Sequence, residues 1–226
     1  MSKRAWNSLR RDVIQCEKCP RLIWHCQQIA ETKRRAYIDQ DYWGKPVPNV
    51  GTLPARLLIV GLAPGAHGAN RIGRMFSGDR SGDWLYEALH RFDFANQPTS
   101  SSLDDGLELR DCVITNVCRC APPGNKPTTE ELNTCSQYLD RTFAIVRPEV
   151  IIALGQLAWK AVLKNLSTRL ELPKPRPKFS HNAFVSLDSH IQLLGSYHPS
   201  QQNTFTGRLT KPMFHRVFRR ARRLLS

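Results

Sequence analysis

Acidic residues are scarce in this chain: 19 Asp and Glu stand against 33 Lys and Arg, a formal net charge of +14. Such an excess points to a polyanionic partner, with nucleic acid first and an anionic membrane surface second. Long hydrophobic runs are missing too. No stretch approaches the roughly 20 apolar residues of a membrane-spanning helix, so no membrane partner is expected. The opening residues, MSKRAWNSLRRDVIQC, contain no apolar core of a secretory signal, and a cytoplasmic protein is expected. Seven cysteines, an odd number, argue against a secreted disulfide framework. Spaced cysteines in a reducing compartment are more often metal ligands. The chain also lacks the phosphate-cradling pattern G-x-x-x-x-G-K-[ST], a clean G-x-G-x-x-G fingerprint and any internal repeat.

What is present is ordinary globular material. Of 226 residues, 41% are hydrophobic, enough for a sizeable core and suited to one domain. A single domain over 1–226 is expected, with the cysteine-bearing segment 1–53 appended to it.

The chain is organised around residues 57–83, LLIVGLAPGAHGANRIGRMFSGDRSGD. Leu57-Leu58-Ile59-Val60 reads as a buried strand. Gly61 to Gly68 then holds three glycines and a proline, which suits neither a helix interior nor a ladder-forming strand. Glycines there let backbone approach a ligand closely. The loop carries Arg71, Arg74, Phe76, Asp79 and Arg80 and exceeds the about 2–6 residues usual for such a connection. Ligand sites in α/β proteins sit where strands end in loops of this kind.

The same unit recurs downstream. Ser81 is a candidate cap for a helix to about Phe94. Asp111–Asn116 is a second strand, followed by a Pro- and Gly-rich basic loop to Pro127. Thr128 or Thr129 caps a helix to about Val146, with Glu130 and Glu131 in its first turn. Val150–Leu154 has the continuous apolar run of a buried parallel strand, and Gln156 opens a helix to about Leu166. Residues 184–187 are a candidate edge strand. Ile191–Gly195 is the last main strand, and residues 209–225 form a helix with a basic face of Arg216, Arg219, Arg220, Arg222 and Arg223. Strand–helix units repeated about four times imply a three-layer α/β/α sandwich on a central, mainly parallel four-stranded sheet. The loops after the strands, 61–80, 116–127 and 196–208, are then expected to meet outside the carboxyl ends of the sheet.

Near the N-terminus, Cys16-Glu17-Lys18-Cys19 is a C-x-x-C turn before a helix from Arg21 to about Arg35. No strand precedes it, which weakens a thioredoxin-like redox reading. Cys26 and Cys112 read as buried apolar cysteines.

Three segments together, GLAPGAHGANRIGRMFSGDRSGDWL, ITNVCRCAPPGNKPTTEELNTC and SYHPSQQNTFTGRLT, resemble the motifs of the uracil-DNA glycosylase superfamily. They are most similar to its B-type (family 5), iron–sulfur-containing branch. The resemblance runs from Cys16 to about Thr210. It implies a monofunctional DNA glycosylase that flips a deaminated base from double-stranded DNA, hydrolyses its N-glycosidic bond and leaves an abasic site. It implies hypoxanthine as well as uracil among its substrates, and a monomer.

Base excision needs a ring to stack on the base, an amide to read its edge and a donor for the charge left on it. Phe76 is the stacking candidate. Asn116, at a strand end, can donate and accept as the O4/N3–H edge of uracil demands; an Asx turn is its other reading. His198 can donate to O2 of the departing anion. Asn203 is placed to hold either the loop or the base, and Gly61 and Ala63 belong to the base-binding loop. Many superfamily members carry a polar or acidic residue at the position of Ala63, so the resemblance moves water orientation to Asp79. Asp79 is alternatively a helix cap, or an ion-pair partner of Arg74 or Arg80. Arg71, Arg74 and Arg208 are candidate DNA contacts. Gln202, Thr204, Phe205 and Arg208 are candidates to fill the vacated stack.

Cys16, Cys19, Cys120 and Cys135 match the resemblance's cluster ligands, with Cys118 the rival of Cys120. Four thiolates suit tetrahedral zinc or a [4Fe–4S] cluster equally on softness; the resemblance implies the [4Fe–4S] cluster, in a structural role. A basic, metal-stapled module gripping single-stranded nucleic acid and a small redox protein are the competing functions. Neither requires the loops of Asn116 and His198.

Overall fold

The computed structural model describes residues 3–226. The apolar runs form the strands β1 (Leu57–Gly61), β2 (Cys112–Asn116), β3 (Val150–Leu154) and β5 (Gln192–Ser196), all pairing in parallel. A short fifth strand, β4 (Phe184–Ser186), pairs antiparallel with β5 at one edge. The order is β2-β1-β3-β5-β4. The mainly parallel sheet therefore has five strands rather than four; the candidate edge strand at residues 184–187 supplies the extra one.

Parallel strands buried on both faces must be apolar at successive positions, and every residue of β1 and β3 is buried. Register makes layers of them. Ile59 lies beside Ile114 and Ile152, and Ile152 beside Leu194. This row packs under the helices α4 (Arg80–Arg91) and α8 (Lys211–Leu224), through Leu85, Leu89, Phe214 and Phe218. Leu58, Ile151 and Leu193 face the opposite way, toward α5 (Thr129–Val146) and α6 (Gln156–Leu166), through Phe143, Trp159 and Val162. The result is the expected α/β/α sandwich. Thr128 caps α5 in a reciprocal capping box with Glu131. The cap of α4 is Asp79, two residues before the expected Ser81.

Two N-terminal helices, α1 (Lys3–Ile14) and α2 (Pro20–Thr32), precede the sheet. Leu9 and Val13 of α1 pack on Cys135 and Tyr138 of α5, and the Asp12 carboxylate meets Arg141 at 2.6 Å. From α2, Arg21 makes a two-pronged pair with Glu131 at 2.7 and 2.8 Å. Packing and ion pairs thus dock this segment on α5 whatever the cysteines do. Two more short helices, α3 (Ala69–Ile72) and α7 (Gln201–Phe205), lie inside the loops that follow β1 and β5. Among the described residues no helix is long and apolar enough to cross a membrane.

Candidate active site

The β1 and β2 ends are held in register, with Gly61 directly beside Asn116. A Cβ on Gly61 would overlap Asn116 Oδ1 and come within 2.6 Å of Phe76 Cζ. Only glycine leaves the strand end bare enough for the amide and the ring to meet over its backbone. Asn116 is 1% exposed, and its Oδ1 has no hydrogen-bond partner among the described residues. A buried amide oxygen without a donor is costly unless a ligand supplies one.

Phe76 is fixed from several sides. Its φ of +59° lies in the left-handed region, an expensive conformation for a non-glycine residue and one that clusters at ligand sites. The Tyr86 hydroxyl donates to the Met75 carbonyl at 2.7 Å. Gly82 packs so tightly on the Phe76 carbonyl that no side chain fits between them. The ring faces the imidazole of His198 with centroids 5.8 Å apart and planes 29° from parallel.

His198 follows β5 and is half-buried. Burial alone pushes its pKa down to about 4, so the ring is neutral near pH 7. Asn203 donates through Nδ2 to the His198 carbonyl at 2.8 Å. In this structure Asn203 therefore braces the histidine loop. Asp79 accepts from the Gly82 N–H through Oδ1 at 3.0 Å, while its Oδ2 lies against the backbone of Gly65 and Gly68. Burial raises the carboxyl above the ordinary aspartate value, against the pull of the Gly82 and Ser81 N–H groups. One oxygen is thus spent on the helix and the other looks toward the glycine loop. Ala63 is half-buried and packs against the cluster formed by Leu22, Cys26, Cys118, Cys120 and Ala121.

Two of the three arginines expected to contact DNA are corrected by the structure. Arg71 is buried; it donates to the carbonyls of His67 and Gly78 at 2.8 and 2.9 Å and stacks 3.9 Å over Tyr37. Arg74 is buried in an ion pair with Asp105 at 2.7 Å and also donates to Ser100 and the Leu103 carbonyl. Their donors are used to fold the loop and are not presented to phosphate. Arg208 differs: it is exposed, with its guanidinium 4.7 Å over the Tyr197 ring.

Cys16, Cys19, Cys118, Cys120 and Cys135 line one small apolar cavity of about 20 Å³. Among the described residues no three Cys, His, Asp or Glu side chains converge as ligands of a single metal ion. Two thiols are engaged by carbonyl oxygens, Cys118 by Cys120 O at 3.5 Å and Cys26 by Ala121 O at 3.6 Å. Cys112 is buried elsewhere, in the core beside β1. Arg119, between two of the cysteines, is 1% exposed and donates to Asn49 and Thr142. Its burial lowers its pKa to about 10. Sequence reasoning missed Arg119, Tyr86 and Gly82 because their partners are set by tertiary contacts; the alternation Cys118-Arg119-Cys120 was the only local sign.

An aromatic ring, an unpaired amide and a neutral imidazole are gathered at the carboxyl ends of parallel strands, with a carboxylate in the same loop as the ring. Comparison with known proteins specifies the class. Residues 48–222 match the family described as the uracil DNA glycosylase superfamily. The chain is similar to the type-5 uracil-DNA glycosylase of Mycobacterium leprae, at 51% identity over 96% of this chain and 94% of that protein. It is likewise similar to the type-5 enzyme of Mycobacterium tuberculosis, at 51% over 92% and 78% of the two chains, and to that of Pyrobaculum aerophilum, at 44% over 92% and 88%. The chain belongs to the uracil DNA glycosylase superfamily, and it is a hydrolase of N-glycosidic bonds in uracil-containing DNA.

Proposed function

We propose that Phe76, Asn116, His198 and Asp79 carry the excision chemistry, and that the pocket accepts deaminated purines such as hypoxanthine besides uracil. The observation that carries this reading is the unpaired, buried Oδ1 of Asn116 beside the Phe76 ring. Uracil presents N3–H next to O4, and hypoxanthine presents N1–H next to O6. An amide that accepts from the N–H and donates to the oxygen serves both edges. Cytosine and adenine present the opposite pattern to the same amide.

In the reaction, the bond from C1′ to the base breaks and its electron pair leaves with the base. The sugar develops oxocarbenium character. For uracil, the negative charge spreads over N1, O2 and O4, and the neutral His198 ring donates to O2. Water adds to C1′. Its proton passes to the Asp79 carboxylate or to solvent, and the departed base takes up a proton in turn. Asp79 suits the task because Oδ1 is anchored by Gly82 N–H and Oδ2 is left for water. Phe76 stacks on the base and holds it against the amide.

The thiols of Cys16, Cys19, Cys120 and Cys135 would hold a [4Fe–4S] cluster. The resemblance assigns these four, and all four line one cavity together with Cys118. Four thiolates suit a cluster or a tetrahedral ion on softness alone, and the resemblance favours the cluster. When bound, the cluster supplies a covalent staple between the N-terminal segment and the loop after β2. The enzyme is read as a cytoplasmic monomer acting on double-stranded DNA.

The test compares the protein with Asn116→Ala in single-turnover excision from uracil and hypoxanthine duplexes. Excision of both bases should fall by about 10- to 100-fold, the effect of leaving one or two buried hydrogen bonds unmade, with duplex affinity retained. A loss confined to one base would contradict the shared edge. The purified protein should be brown and contain iron and inorganic sulfide; zinc alone would contradict the cluster.

A further inference from the structure

The C-terminal helix carries a charge pattern that the excision chemistry leaves unused. α8 (KPMFHRVFRRARRL) holds five arginines and one lysine and no carboxylate. Its apolar side, through Phe214, Val217, Phe218 and Ala221, is buried in the core. At about 100° per residue, Arg216, Arg219, Arg220 and Arg223 fall within about 100° of one another on the opposite side. Arg216, Arg219 and Arg223 are exposed. Glu87 takes Lys211 at 3.6 Å and His215 at 3.1 Å. Among the described residues none of the five arginines of α8 has a carboxylate within ion-pair distance.

Like charges three and four residues apart on one helix repel. The helix dipole offsets this only in the last turn, which holds Arg222 and Arg223; Arg216 and Arg219 lie before it. Aromatic rings fix two of the guanidinium planes: Arg220 lies 3.9 Å over Phe184 and Arg222 lies 3.9 Å over Phe94. Arg222 also donates from Nε to the Phe92 carbonyl at 2.8 Å, so it serves the fold. The remaining four form a stripe that leads away from the active site. α8 starts after the loop that carries His198 and ends beside Leu225, whose carbonyl accepts from Arg56 Nη1 at 2.8 Å. Arg56 immediately precedes β1. The helix therefore runs from the carboxyl edge of the sheet, where the catalytic loops meet, back to the amino edge.

We propose that Arg216, Arg219, Arg220 and Arg223 form a second DNA contact, which holds the backbone of an undamaged duplex segment while the carboxyl edge of the sheet holds the damaged one. From Arg216 to Arg223 the helix rises about 10 Å, the axial length of about three phosphates of one strand. An anionic membrane surface fits less well, because a helix lying on lipid needs an exposed apolar face and that of α8 is in the core. Contacts made by guanidinium groups to phosphate position DNA without reading its sequence, and they weaken with salt. A contact of this kind lets the protein pass from one segment to another without releasing both. The inference goes beyond excision and does not depend on which residues perform it.

The experiment saturates the protein with a hairpin that carries a tetrahydrofuran abasic analogue and a donor dye, then adds an undamaged duplex labelled with an acceptor. Energy transfer reports the ternary complex. The unaltered protein should form it. The triple variant Arg216→Gln/Arg219→Gln/Arg223→Gln should weaken the second binding step about tenfold or more and reduce its salt slope by about three. Arg216→Gln alone should reduce that slope by about one. Hairpin affinity should change by less than about threefold, and single-turnover uracil excision by less than about twofold. An unchanged unfolding midpoint accompanies these results. The proposal is overturned if the unaltered protein forms no ternary complex, or if the triple variant forms it equally well. It is also overturned if the variant loses hairpin affinity as much as second-duplex affinity, which would place these arginines in the footprint of the damaged strand. Capture of the unaltered protein by phosphatidylserine vesicles, lost in the variant and without any ternary DNA complex, would assign the stripe to a membrane surface and overturn the proposal as well.

Discussion

The rings of Phe76 and His198 face each other with centroids 5.8 Å apart and planes 29° from parallel, although 122 residues separate them in the chain. Each is brought there by a strand end: Phe76 by the loop after β1, His198 by the loop after β5. The strained φ of Phe76 shows how firmly that side of the pocket is imposed by its surroundings. Gly61 and Asn116 lie at the neighbouring strand ends, beside the Phe76 ring.

The approach of the Asn116 amide to the Phe76 ring depends on a missing side chain. Gly61→Ala would push a methyl group onto Asn116 Oδ1 and to 2.6 Å from Phe76 Cζ. Displacement of the amide and ring by about 1 Å should cost about 100-fold in excision, with the helical signal and duplex binding unchanged. Single-turnover rates and circular dichroism together check this. An active Gly61→Ala protein would mean that the base sits elsewhere.

Acidity should act through Asp79, not through the histidine. His198 is pushed down to about 4, below its ordinary 6.5, so it stays neutral through the physiological range and gives no inflection there. Between those two values the unfolded chain binds a proton that the folded chain does not, so His198 makes stability fall as pH drops through that window. Asp79 is raised above 3.8. Its carboxylate is therefore lost on acidification at a higher pH than an ordinary aspartate, and this sets the acid limb of the rate. Asp79→Asn should remove that limb along with most of the rate. An inflection near 6.5 that disappears in the His198 variant would refute the assignment.

The arginines divide by where their donors go. Arg74 and Asp105 are 10% and 9% exposed, and their ion pair is 2.7 Å long. Arg74→Ala should strip Asp105 of its cation, leaving it the N–H groups of Ser101, Ser102 and Leu107, and cost about 3 kcal/mol of stability at most, read as a lower unfolding midpoint, without altering the salt dependence of DNA binding. Arg208→Ala should do the reverse, keeping stability and reducing the salt slope by about one. A reduced slope in the Arg74 variant would restore its expected phosphate contact.

Much of this was legible because the informative residues are local. Val150–Leu154 is a continuous apolar run and forms β3 with those bounds. The three chemistry-bearing loops each follow such a run, so parallel pairing alone brings Gly61, Asn116 and His198 to one edge. The helix α1 was not legible: KRAWNSLRRDVI is mostly charged and polar, and only Leu9 and Val13 become buried. Arg71 and Arg74 were misread because a positive charge in a loop does not reveal its partner. The carboxylate that claims Arg74 lies 31 residues later, in a loop with no pattern of its own. The role of Asp79 as a cap was legible as an alternative, since a cap and a water-orienting carboxylate use different oxygens of one group.

The central claim is that His198 acts on the leaving base and not on the grip of the protein on DNA. The most direct measurement is single-turnover uracil excision by His198→Ala, set beside its equilibrium affinity for the same duplex. The account predicts a fall of about 100-fold or more in rate, as for loss of a donor to a developing oxyanion, with affinity changed by less than about threefold. Equal losses in rate and affinity, or an unchanged rate, would contradict it.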